Sequence, residues 1–441
     1  CRVGLDGSGF AKVTDDELDH IVTMPDNQEY FIDSASTVDT PPVSRVRDWA
    51  GRVLVELERA DISKLTATGW TPPERFRVKA ADGMTDIYGV LYRPQGFDPG
   101  QRYPVVDSVY PGPNVARVDP CFDPGGMGLD AEPIAALGFV VVAVDGRGTP
   151  GRSKAFHDAS YGHLADAGCL ADHVAALHQL AQTRAWMDLD RVGAFGHSGG
   201  GFATVRAMLD FPEMYKAGVA LSGSHDARYF NPGFVEAYDG ADNTEAWARA
   251  SNVDIADWLA GKLLLIHGGM DDQVHPDHTV RLADRLIAAD KDFELLIVPG
   301  AEHTFIDCLA YVRKRCWDFL VRELMSTQPP AYRPRLSPST PSCSASSSPE
   351  RDTTYEDQEN PTSDHTTGLR KSFVAPAGGV PLDGRWRSPR CAADVPASRS
   401  DDNEASDLIR SQVVPGAAEA DGWQPSDQSS KTCQQMALRR C

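Results

Sequence analysis

The stretch Val192-Gly193-Ala194-Phe195-Gly196-His197-Ser198-Gly199-Gly200-Gly201 decides the fold. Val192 to Phe195 is a short apolar run that reads as the end of a buried strand. From Gly199 to Phe211 the residues read as a helix. Ser198 then stands on the turn between them, inside the pattern G-x-S-x-G. Such a turn holds its serine in a strained conformation. Gly196 and Gly200 fit it because side chains there would collide with neighbouring backbone. The helix N-terminus beneath the serine favours developing negative charge.

Working outward, apolar strands alternate with helical stretches from about residue 75 to 325. Strands are expected at 103–109, 139–145, 191–196, 217–222, 262–267 and 293–298. Helices are expected at 164–182, 199–211, 277–288 and 305–325. Val140-Val141-Val142-Ala143-Val144 is apolar without interruption, as expected of a parallel strand buried on both faces. The pattern predicts a doubly wound, mostly parallel sheet, and with the serine turn an α/β-hydrolase fold over residues 76–325.

A seryl hydroxyl becomes a useful nucleophile only when a base takes its proton and a carboxylate orients that base. In this fold the chain order is serine, acid, histidine. The expected strand 262–267 runs into His267-Gly268-Gly269-Met270-Asp271-Asp272-Gln273-Val274, and a carboxylate at a strand's C-terminal end lies where such sheets place their sites. Asp271 is preferred over Asp272, which reads as a solvated turn or cap. The next strand leads to Pro299-Gly300-Ala301-Glu302-His303, which puts His303 in the loop before the last helix. His267 reads as a structural histidine, and His275 and His278 as loop residues. With Asp277 they fix no fourth ligand, so neither metal nor cofactor is expected. For the oxyanion, the Gly199 amide is one expected donor. Tyr110, in Val109-Tyr110-Pro111-Gly112-Pro113, is either a phenolic donor or an aromatic packed beside a proline turn.

Residues 1–60 read as short strands at 2–5, 29–33, 43–47 and 52–57, with a hairpin turn at 48–51. This is about one blade of a β-propeller, and a lone blade leaves a bare sheet edge. With Cys1 rather than Met in first place, the expectation is a propeller remnant whose upstream blades are missing, joined by a linker at 61–75. Residues 326–441 are rich in Ser, Pro, Asp and Arg without an apolar period, which predicts a disordered tail. Over all 441 residues the net charge is −20, which argues against a nucleic-acid partner. No apolar run reaches the roughly 18 residues that cross a bilayer, so no membrane span is expected. The nine cysteines show neither metal spacing nor a disulfide framework, which leaves the compartment open.

The chain resembles the dipeptidyl-peptidase IV branch of the prolyl oligopeptidase family of serine peptidases. The likeness rests on Val109 to Pro113, on Asp145-Gly146-Arg147-Gly148-Thr149-Pro150-Gly151-Arg152, on Gly196 to Gly201, on His267 to Asp272 and on Glu302-His303. It implies Ser198, Asp271 and His303 as a catalytic triad, with Tyr110 and Gly199 as oxyanion donors. It also implies a peptide substrate with Xaa-Pro or Xaa-Ala preference. In the family, a pair of propeller glutamates binds the substrate amino terminus, and no matching helix is present here. Family members line the pocket for the residue before the cleaved bond with tyrosines; here Tyr229 stands in the corresponding segment. The resemblance raises homodimerisation, although no interface is legible in these residues. An esterase, an acylaminoacyl peptidase and a catalytically silent fragment are the alternatives.

Overall fold

A computed structural model describes residues 1–14, 16–118, 120–122, 131–166 and 169–332. The expectation of a disordered tail falls, beyond residue 332, outside the described residues. The last described residue has partners: the Tyr332 ring stacks on Trp317 at 6.3 Å, and the Lys314 ammonium lies 4.7 Å from the Tyr332 ring centre. Val3–Phe10 belong to a separate compact unit. Within it, Gly4 N donates to Ser8 O at 2.7 Å, and Asp6 Oδ1 accepts from Ser8 N at 2.9 Å.

Four strands, β1 (Asp19–Thr23), β2 (Phe31–Thr37), β3 (Thr40–Arg47) and β4 (Val53–Arg59), pair in sequence order as an antiparallel meander. The β3–β4 turn is tight because Asp48 accepts from Ala50 N and Arg52 N, while Gly51 takes φ 86°. Where a strand was expected at 2–5, a single bridge joins Arg2 to Ala11. A charged lattice holds the sheet's interior: Asp33, fully buried, accepts from Arg47 Nε at 2.6 Å and contacts His20 Nδ1 at 2.7 Å. The second nitrogen of His20 faces Asp16 at 2.6 Å.

The second sheet has eight strands. They are β5 (Glu74–Lys79), β6 (Asp86–Tyr92), β7 (Tyr103–Ser108), β8 (Val140–Asp145), β9 (Met187–His197), β10 (Tyr215–Leu221), β11 (Lys262–Gly268) and β12 (Glu294–Val298). Their order is β12-β11-β10-β9-β7-β8-β6-β5. From β12 to β8 every pair is parallel, and β6 and β5 close one edge antiparallel. Side chains alternate between two cores. Val140, Val142, Leu263 and Leu265 join one with the helices Leu170–Thr183 and Gly199–Asp210, whereas Val141, Ala143, Leu264 and Ile266 join the other with Leu309–Met325. Each such aliphatic side chain contributes roughly 1.5–3 kcal/mol on burial, and together they hold the sheet rigid beneath its loops.

The Asp145 to Arg152 stretch is an anchor for that sheet. Arg147 binds the fully buried Asp172 through Nε and Nη2, and reaches Asp82 through Nη1 at 3.0 Å. Arg152 lies over the rings of Tyr88 and Phe156, at 4.4 and 4.3 Å, and donates to Asp86 O.

Candidate active site

Three strands of the parallel sheet deliver the expected residues at their carboxyl ends: β9 leads to Ser198, β11 to Asp271 and β12 to His303. Ser198 caps the helix Gly199–Asp210 with φ 60° and ψ −120°, a conformation that L-residues rarely adopt. Its amide donates to Leu221 O at 2.8 Å, which ties the turn to β10. Tight packing on both sides holds this strain. A Cβ on Gly196 would lie 2.3 Å from Gly200 O and 2.7 Å from Val109 O, and one on Gly200 would lie 2.3 Å from Val109 O. Only glycine lets the two segments approach this closely.

Asp271 is buried, and its Oδ2 meets His303 Nδ1 at 2.7 Å. The other oxygen, Oδ1, accepts from Gln273 N at 3.0 Å and Val274 N at 2.9 Å. His267 stands behind it, with Nε2 3.3 Å from Oδ2 and 2.8 Å from Val274 O, and with Nδ1 2.7 Å from Thr279 Oγ1. Burial opposes the Asp271 charge. Hydrogen bonds from His267, His303 and Val274 N outweigh it, and the carboxyl lies well below its ordinary range. Asp271 is thus an anion that fixes the Nδ1–H tautomer of His303, leaving Nε2 as the free base. The neighbouring Asp272 is exposed.

Ser198, Gly199, Tyr110 and His303 line one cavity of about 510 Å³. A methyl built on Gly199 would lie 3.5 Å from Tyr110 Cε1 and 3.9 Å from its hydroxyl, so the phenol stands over the first turn of the helix. Phe202, Phe230, Phe234 and Val235 make the apolar wall. Tyr229 does not join them. It is 64% exposed, and the Arg281 guanidinium draws it outward at 3.6 Å from its ring centre. Phe230, in extended backbone before the helix Pro232–Asp239, and Phe234, within it, line the cavity instead, with ring centres 5.5 Å apart. No helical spacing announces the pair, because Phe230 is extended and only Phe234 lies on the helix Pro232–Asp239. Among the described residues no group of three or more His, Cys, Asp or Glu side chains is arranged to hold a metal ion.

A serine on a strained strand-to-helix turn, with an imidazole and a buried carboxylate at neighbouring strand ends, defines the class of serine hydrolases. Residues 127–327 match the model of the Prolyl oligopeptidase family. Dipeptidyl peptidase 8 of Homo sapiens is 32% identical over 240 residues, which are 53% of this chain and 26% of that protein. An Emericella nidulans protein named "Probable dipeptidyl-aminopeptidase B" is 28% identical over 343 residues, 72% of this chain and 36% of its own length. The crystal structure of Porphyromonas gingivalis dipeptidyl peptidase 4 superposes with a TM-score of 0.62 at 27% identity, covering 69% of this chain and 43% of that one. The chain spans about a quarter to a third of the length of these curated relatives.

Proposed function

We propose that this chain carries a serine peptidase domain of the α/β-hydrolase fold over residues 76–325, preceded by a propeller blade at 1–60 and a linker at 61–75. In this reading Ser198 Oγ attacks the carbonyl carbon of a peptide bond while His303 Nε2 takes its proton. His303 then returns that proton to the departing amine, leaving an acyl-enzyme that water cleaves by the same steps. Asp271 holds the His303 tautomer and offsets the imidazolium charge. Tyr110 and the Gly199 amide donate to the oxyanion, each worth roughly 10²–10³ in rate.

One observation carries the reading: Ser198, in its strained backbone conformation, shares a cavity with a histidine whose far nitrogen is bound by a buried carboxylate. Release of dipeptides is supported by the relatives' names, and a Pro or Ala before the cleaved bond by the aromatic wall beside Ser198, which suits a small apolar side chain. The test compares wild type with Ser198→Ala, using a fluorophosphonate probe and aminoacyl-proline anilides. Wild type labels and cleaves, and the variant loses labelling and about 10⁴–10⁶ of turnover while its far-UV spectrum is unchanged. Equal labelling of both proteins removes Ser198 from the mechanism. Labelling of wild type with cleavage of simple esters and no cleavage of peptides replaces the peptidase by an esterase.

A further inference from the structure

We propose that His197 is a positioning residue for His303, using its Nε2–H to clamp the His303 carbonyl and so tie the loop of the base to the turn of the nucleophile. The inference rests on the reading of Ser198 and His303 given above.

His197 Nε2 lies 2.7 Å from His303 O. A carbonyl only accepts, so this nitrogen carries the proton and the neutral ring is the Nε2–H tautomer. The two imidazoles lie 4.6 Å apart, centre to centre, at 49°. Phe305 approaches the His197 ring on its edge at 6.2 Å. The link spans 106 residues, and its donor is the immediate neighbour of Ser198.

His303 is therefore held at both ends. Its side chain is bound through Nδ1 to Asp271, and its main chain through the carbonyl to His197. The loop before it is pinned by Met270 N, which donates to Ala301 O at 2.9 Å. Fixing both the carbonyl and Nδ1 limits rotation of the residue as a whole, which sets the direction of Nε2 into the cavity. A misplacement of about 1 Å at such a group costs about 10²-fold in rate.

The charge state of His197 suits this role. Burial, and then the proximity of His303, pushes its pKa down to about 4. The titratable groups facing it are His303 from the loop after β12, Asp271 from the loop after β11, and His267 from β11 itself. Staying neutral between pH 5 and 9, His197 puts no cation beside the imidazolium that His303 must become.

The test uses the full chain with His197→Phe, which keeps a ring and removes the donor, and His197→Gln, which restores an N–H. His197→Phe is expected to lower kcat about 10–100-fold with KM within about twofold, and His197→Gln to recover most of that loss. Activity of His197→Phe within about twofold of wild type overturns the proposal, as does His197→Gln falling as low as His197→Phe. A second measurement is independent of turnover and of variant folding. Nitrogen-15 spectra of histidine-labelled wild type are expected to report His197 as a neutral Nε2–H ring from pH 5 to 9. An Nδ1–H ring, or titration inside that window, overturns the clamp. Failure of wild type to react with fluorophosphonate overturns the hydrolase reading, while the spectra still decide the clamp. Equal labelling rates for wild type and His197→Phe overturn the clamp alone.

Discussion

Two adjacent glycines in the serine turn predict opposite outcomes for the same substitution. In Gly200→Ala the new methyl would sit 2.3 Å from Val109 O, where a carbon normally approaches an oxygen no closer than about 3.3 Å. Strand-end backbone must then move by about 1 Å, and no flexible side chain is there to give way. Overpacking of this kind costs about 1–3 kcal/mol, sometimes more. At about 2–4 °C per kcal/mol for a domain of this size, Gly200→Ala lowers the melting temperature by about 2–12 °C. Because Val109 directly precedes Tyr110, the same movement displaces the proposed oxyanion donor, and fluorophosphonate labelling slows as well. In Gly199→Ala the nearest atoms are those of the Tyr110 ring, at 3.5 Å and beyond, which is ordinary contact. Alanine in a helix gains up to about 1 kcal/mol over glycine, so this variant melts at or slightly above wild type. Scanning calorimetry of the three proteins decides it. Equal melting temperatures for the two variants, or a lower value for Gly199→Ala, refute the packing argument.

His20, between Asp33 and Asp16, has its pKa raised: burial opposes its charge, and the two carboxylates outweigh that burial. Its contribution is fully present below the unfolded value of about 6.5 and is lost as pH rises through the raised folded value. The melting temperature of the β1–β4 sheet is thus expected to fall from pH 6 to pH 9, with a shallower fall in His20→Gln; identical slopes count against the assignment. Arg147→Met leaves Asp172, fully buried, facing only backbone amides and is expected to cost about 3 kcal/mol, since a buried charge loses its partner. A change in urea midpoint equivalent to less than about 1 kcal/mol would show that the pair is replaceable.

What could be read from sequence followed burial. Val140 to Val144 announce a strand because both faces are covered, and Asp277 to Ala288 announce a helix with one wet face. The edge pair β5–β6 escaped notice, because Glu74-Arg75-Phe76-Arg77-Val78-Lys79 alternates charged and apolar residues over a short length and lies against water on one side. The helix expected at 164–182 begins at Leu170, where Cys169 takes φ 63° and resets the chain, while Leu164–Asp166 form a separate turn. Asp271 could be preferred over Asp272 from position alone, whereas the hydrogen bond between His197 and His303 joins residues too far apart in sequence for any local pattern to announce. Tyr229 misled because adjacency does not say which of two neighbouring rings faces inward. That is decided by Arg281, on a different helix.

Tyr110 is carried on a chain segment with several anchors. His157 Nε2 donates to Pro113 O at 2.7 Å, and Asp145 Oδ1 accepts from Arg117 N and Val118 N at 2.6 and 3.1 Å. The segment then reaches the four-stranded sheet, where Phe122 N donates to Ser36 Oγ at 3.1 Å and Cys121 Sγ donates to Asp19 Oδ2 at 2.9 Å. Asp19 and Ser36 are cross-strand partners in the β1–β2 register, and Asp33, which binds Arg47 and His20, pairs with Val22 in the same ladder. The β1–β2 ladder is therefore joined by two hydrogen bonds to Cys121 and Phe122, which follow the segment that carries Tyr110. Among the described residues, the small sheet thus meets the chain that follows Tyr110 and lends no side chain to the cavity lining.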